Sequence, residues 1–121
     1  MHEMSIAASL VEHVLSEARQ QQAVWVQEVE VQIGVLQLVV PEALEMAFSA
    51  ITEGTLAAGA TLKIVPVPAR ARCRQCEQCF EPAVDDYLCP KCQLADVEIV
   101  GGREIVLTTI VCETQDSLAP S

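Results

Sequence analysis

The sequence predicts an α/β chain of the α+β kind, with two helices packed on a small, mainly antiparallel three-stranded sheet and a small cysteine-rich domain inserted into it. Three observations predict this. Two stretches, starting near Met4 and at Val40, space their apolar residues as one face of a helix. Three others, over 25–35, 61–68 and 95–113, alternate or run apolar at strand length. Between the second and third of these strands lies RCRQCEQCFEPAVDDYLCPKCQL, with five of the six cysteines. The chain therefore leaves a main domain after its second strand and returns to add the last.

Each element has its own reason. From Met4 to about Gln22, Ala7, Leu10, Val11, Val14, Leu15 and Ala18 form an apolar stripe, while Ser9, Glu12, Ser16 and Glu17 face outward. His13 falls near the polar side, one turn before Glu17, and reads as a solvated histidine rather than a ligand. In the next stretch Trp25, Val29, Val31, Ile33 and Val35 share one face, and Glu28, Glu30 and Gln32 the other. Trp25 is expected in the core or as a lid over it. Gly34 ends this strand or permits a bulge. The second helix runs over 40–54. Pro41 suits its first position, Glu42 its positive end, and Gly54 its C-terminal cap; Leu44, Ala47, Phe48 and Ile51 give its buried stripe. In TLKIVPVP the inward residues are Leu62 and Ile64, and Pro66 and Pro68 mark an edge strand. The segment ADVEIVGGREIVLTTIVCE reads as a hairpin turning at Gly101-Gly102, and its second arm, 103–111, as a central strand. The domain plan is 1–68 with 98–115 for the main domain, 69–97 for the insertion and 116–121 as a flexible tail.

Within the insertion, Cys73 and Cys76 make one C-x2-C pair and Cys89 and Cys92 another, with twelve residues between the pairs. A C-x2-C turn aims both sulfurs at one ion, and the intervening loop brings the second pair round. This spacing predicts a zinc-ribbon-like domain with tetrahedral Zn(II) on four thiolates. Cys79 extends the first pair to C-x2-C-x2-C; it is either a substitute ligand or a bystander. Cys112, near the end of the last strand, reads as a free thiol. Arg70, Arg72 and Arg74 set a basic patch beside the first pair, either to offset the charge of four thiolates or to form a docking surface.

Composition excludes several classes of function. The chain has 121 residues, half of them apolar, and a formal charge of -10. That charge opposes nucleic acid and anionic membranes, and it suits divalent cations or a basic protein patch. No apolar run reaches a bilayer span, and Glu3 stands where a secretory leader carries basic residues, so a reducing, cytoplasmic setting is expected. A disulfide-rich secreted fragment is the alternative setting. Four cysteine ligands leave no open position for water, and no second histidine lies near His13, so an enzyme is not expected.

The chain begins Met1-His2-Glu3. A free α-amine, the amide nitrogen of His2 and its imidazole can converge on one ion, with Glu3 completing the set. Such an all-nitrogen, near-planar donor set suits Ni(II) or Cu(II) better than zinc. Read alone, a histidine at position 2 is weak evidence for metal, and the same residues read first as a solvated terminus.

MHEMSIAASLVEHV, VQIGVL, VVPEALEMAF, TEGTLAAGATLKIV and the CRQC and CPKC pairs occur in the order found in the HypA/HybF family, which the chain resembles over residues 1–113. That family comprises hydrogenase maturation factors that deliver nickel. The resemblance implies nickel as cargo on Met1, His2 and Glu3, and structural zinc on Cys73, Cys76, Cys89 and Cys92. It also implies work with a nickel-insertion GTPase and the hydrogenase large subunit, with urease served by some members. The segments joining the insertion to the main domain are candidate hinges for swapping into a homodimer. One departure stands out: Glu77 and Gln93 follow the knuckles, where members often carry glycine. The competing expectation is a zinc-ribbon interaction or transcription-related module without nickel transfer.

Overall fold

In a computed structural model of the chain, the described residues are 2–82 and 87–114, with His2 described by its backbone alone. The expected tail, 116–121, lies outside them. The chain divides into two compact units. The first comprises the residues up to Val31, then Val39–Val65 and the chain from Val106; the second comprises Gln32–Leu38 and Pro66–Ile105. The second unit thus includes 32–38, 66–68 and 98–105, which the sequence plan assigned to the main domain.

In the first unit, helix α1 spans His2–Gln20 and helix α2 spans Pro41–Thr52. The stripe of α1 is buried as its spacing dictates, through Ile6, Ala7, Leu10, Val11, Val14 and Ala18, with Leu15 half-buried. The first position of α2 is Pro41, whose missing N–H costs nothing there, and Glu42 lies in its first turn. Leu44, Ala47 and Phe48 are buried, Ile51 is half-buried, and Thr52 is buried with its hydroxyl donating to the Phe48 carbonyl at 2.8 Å. Past the cap at Glu53, Gly54 takes φ 78°, the left-handed turn that stops the helix. The two helices pack on each other. Full burial of side chains such as Phe48 and Leu44 contributes roughly 1.5–3 kcal/mol each.

The sheet of this unit has the order β2-β1-β6, with β1 at Ala23–Gly34, β2 at Thr61–Val67 and β6 at Ile105–Thr114. The edge position expected for β2 is found, with Leu62 buried and Ile64 half-buried. The long apolar strand β6 was expected at the centre, but the centre is β1. An apolar run fits either place, and β6 leaves Val106 and Val111 exposed. Trp25 is also corrected. In β1 the burial alternates through Val29, Val31 and Ile33, then slips by one at Gln27 and Glu28, so that Val26 is buried and Trp25 is 44 % exposed. One extra outward residue of this kind is what a bulge produces.

In the second unit a small sheet has the order β4-β3-β5, from Arg70–Cys73 (β3), Cys79–Phe80 (β4) and Val97–Gly101 (β5). Strand β3 is antiparallel to both neighbours, with Arg72 opposite Cys79 and Glu98. The expected hairpin is therefore not formed: β5 and β6 belong to different sheets. Gly101-Gly102 marks a change of sheet, and Gly102 takes φ 105°. Two close approaches require glycine at this crossing. A Cβ on Gly102 would lie 2.7 Å from the Cα of Ala69, and one on Gly34 would overlap the carbonyl of Gly102. Backbone bonds close the crossing, from Gly34 N–H to Glu104 C=O at 2.7 Å and from Leu36 N–H to Gly102 C=O at 2.8 Å.

Candidate metal centre

Two short turns build the cluster. Strand β3 ends on Cys73, and the chain folds back so that the Glu77 N–H donates to the Cys73 carbonyl at 2.7 Å. The second turn repeats this, with the Gln93 N–H donating to the Cys89 carbonyl at 2.7 Å. Both turns need a left-handed residue after the second cysteine. Glu77 supplies it at φ 62° and Gln93 at φ 55°, positions where glycine would pay no steric cost.

Together the turns gather Cys73, Cys76, Cys89 and Cys92, whose sulfurs all lie within 4.8 Å of one another. Cys73 and Cys89 are buried, and Cys76 and Cys92 are half-buried. The Sγ atoms of Cys76 and Cys89 are 3.7 Å apart. Thiolates on a tetrahedral zinc, with bonds of about 2.3 Å, stand about 3.8 Å from one another. The donor set thus has the size and chemistry of a closed four-thiolate site. Its protonation agrees. The Cys76 backbone N–H, which hydrogen-bonds to its sulfur, brings the Cys73 thiol down to about 7. Cys92 is pushed up to about 12, first by its hydrogen bond to Cys76 and then by burial. Four close sulfurs do not ionise together unaided, and a dication replaces the protons that they retain.

Cys79 is exposed on β4 and outside the cluster, so this geometry assigns the bystander role. Cys112 is half-buried on β6 and likewise outside the cluster. Two of the three arginines of the basic patch make ion pairs. Arg72 pairs with Glu98, and Arg74 meets Asp96 at 3.0 Å. The Asp96 carboxyl sits below the usual carboxylate range, chiefly through the amide of Gln75 and then through Arg74. His13 is exposed, with its Nε2 3.7 Å from Glu17, as a solvated helix pair. None of these residues supplies a fifth ligand.

At the other predicted site, Met1 and the side chain of His2 lie outside the described residues. Helix α1 starts at His2, and the half-buried Glu3 accepts a hydrogen bond from the Val40 N–H at 3.2 Å. Val40 is the residue that caps α2, so the Glu3 carboxylate ties together the starts of both helices. The sequence offers Glu3 as a candidate metal donor; its bond to α2 depends on tertiary packing. No helix among the described residues is long and apolar enough to cross a membrane.

The chain matches the family model described as hydrogenase/urease nickel incorporation, metallochaperone, hypA, over residues 1–112. It is 40% identical over 117 residues to the hydrogenase maturation factor HypA of Chlorobium luteolum, covering 95% of this chain and 98% of that one. With the hydrogenase maturation factor HypA of Dechloromonas aromatica it shares 39% identity over 114 residues, 93% of this chain and 100% of the relative. Its fold is similar to the solution structure of the Ni metallochaperone HypA from Helicobacter pylori, with a TM-score of 0.70, 29% identity and coverage of 95% and 100% of the two chains. The chain belongs to the HypA family of nickel metallochaperones for hydrogenase maturation, which are not catalytic enzymes.

Proposed function

We propose that this chain carries Ni(II) on Met1, His2 and Glu3, holds structural Zn(II) on Cys73, Cys76, Cys89 and Cys92, and hands nickel over during maturation of [NiFe]-hydrogenase. The observation that carries the proposal is the family match over residues 1–112, which spans both the terminal Met-His-Glu and the four-cysteine cluster. The two donor sets divide the work chemically. Four thiolates bind zinc tightly and leave no open position, which suits a permanent scaffold. A terminal set of amine, amide and imidazole nitrogens suits Ni(II) and comes apart as the terminus moves.

The start of α1 at His2 supports this role. The first N–H groups of a helix have no partner within it, so the His2 amide nitrogen is free to lose its proton to a metal. The positive end of the helix opposes a bound cation by about 0.3–1 kcal/mol, and the Glu3 carboxylate offsets it. Nickel must displace protons from the amine and the amide, so binding tightens as pH rises. The partners are a nickel-insertion GTPase and the hydrogenase large subunit, in the cytoplasm, where thiolates stay reduced. Calorimetric titration of zinc-loaded protein with Ni(II) tests the assignment. One equivalent should bind to the wild type and none with comparable affinity to His2→Ala; equal binding by both rejects it.

A further inference from the structure

Among the described residues, the outer edge of β6 in the first unit has no strand beside it, because the sheet ends there. Natural edges are usually blunted by proline, charge or a short length. The opposite edge, β2, is blunted by Pro66 and Lys63. Strand β6 spans ten residues, and from Ile105 to Cys112 it contains neither proline nor a charged residue. In an antiparallel ladder, alternate residues bond to the same neighbour. Glu104 C=O accepts from Gly34 on β1, so even positions face β1. The N–H and C=O groups of Leu107, Thr109 and Val111 then point outward.

A groove of about 350 Å³ runs beside this edge, between β6 and α1. Leu107, Thr109 and Ala18 form its walls, and His13, Glu17 and Gln21 its polar rim. The geometry points to β6 as a docking edge that takes an extended segment of a partner protein as a fourth strand. That segment would be apolar and β-branched on the groove side and would carry lysine or arginine where it passes Glu17. Backbone pairing holds it, and alternate side chains entering the groove select it. Charge decides between occupants. In the first unit the only basic residues besides histidines are Arg19 and Lys63, against many glutamates. A second copy would bring two acidic domains together, whereas a basic segment meets the complementary sign.

The test uses full-length, zinc-loaded protein and three synthetic ten-residue peptides: alternating valine and threonine with two lysines, the same with glutamates for the lysines, and the lysine peptide N-methylated on its pairing edge. Amide NMR should show shifts and slowed exchange at Leu107, Thr109 and Val111 with the lysine peptide. N-methylation should abolish this, and the glutamate peptide should bind about tenfold more weakly. Thr109→Pro removes an outward N–H while sparing the β1 ladder, and should lose binding with its amide spectrum otherwise folded. Glu17→Lys should invert the peptide preference. Equal binding of the methylated peptide, perturbation confined to other elements, or a concentration-dependent dimer that protects the same amides without peptide would each overturn the proposal.

Discussion

The two units of this chain achieve order by different means. In the first, two amphipathic helices and a three-stranded sheet bury Leu10, Val14, Val29, Val31, Leu44 and Phe48. In the second, the fully buried large side chains among the described residues are Cys73 and Cys89, which join the four-sulfur cluster. One region is held by apolar area and the other by a donor set that needs a cation. On the proposed assignment, the contrast divides the work: a site closed by four thiolates does not readily give up its ion, whereas a set on Met1, His2 and Glu3 would release its ligands singly.

The largest effect separates the units directly. Removing zinc with a chelator, or substituting Cys89→Ser, should unfold the second unit and leave the first folded. Structural zinc in small domains contributes about 10–16 kcal/mol, far more than the few apolar contacts of β3, β4 and β5 replace. Amide NMR should lose the dispersed signals of Arg70–Cys73 and Val97–Gly101 while those of α1 and α2 persist. Loss of both sets at once would mean that the units do not stand apart.

Proton competition gives the next effect. Cys92, pushed up to about 12, holds its proton throughout the neutral range, whereas Cys73 titrates near 7. Zinc binding below pH 7 therefore releases one more proton than binding above it. The logarithm of zinc affinity should rise with pH on both sides, and more steeply by about one unit per pH unit on the acid side. Chelator competition from pH 6 to pH 8 measures this, and a constant slope would contradict the role of Cys73.

The smallest effect sharpens the comparison locally. Glu77 and Gln93 hold left-handed backbone, which costs a residue with a Cβ roughly 1–2 kcal/mol. Glu77→Gly and Gln93→Gly should each raise the zinc-loaded melting temperature of the second unit. Neither should affect the first.

How far the fold could be read from the sequence depended on whether the determining contact was local. The α1 stripe and the two cysteine turns follow from spacing alone, and both formed as expected. Glu77 and Gln93 in place of glycine suggest a tighter or altered knuckle; both turns instead keep the left-handed backbone, held by residues with a Cβ. Trp25 was misread because strict alternation was carried across the slip at Gln27 and Glu28, which only pairing in the sheet produces. Gly101-Gly102 has the composition of a hairpin turn. What it accommodates is the approach of Ala69 and of Gly34 near Gly102, from distant parts of the chain. Strand β6 was placed at the centre because its apolar run satisfies a central strand and an unprotected edge equally well. The bond from Val40 to Glu3 joins residues 37 positions apart and left no sequence signal. For the terminal nickel set, spacing allowed a chelate, and only the resemblance to a known family selected it.

The proposed division puts cargo on the terminal amine and its neighbours and keeps zinc in the cluster. Its most direct test adds a single alanine before Met1, which keeps every side chain and moves only the α-amine. Spectroscopic titration of the zinc-loaded protein with Ni(II) should then lose the stoichiometric, near-planar nickel signal of the unextended chain, with zinc content unchanged. An extended chain that binds nickel with the same spectrum and stoichiometry would contradict the account.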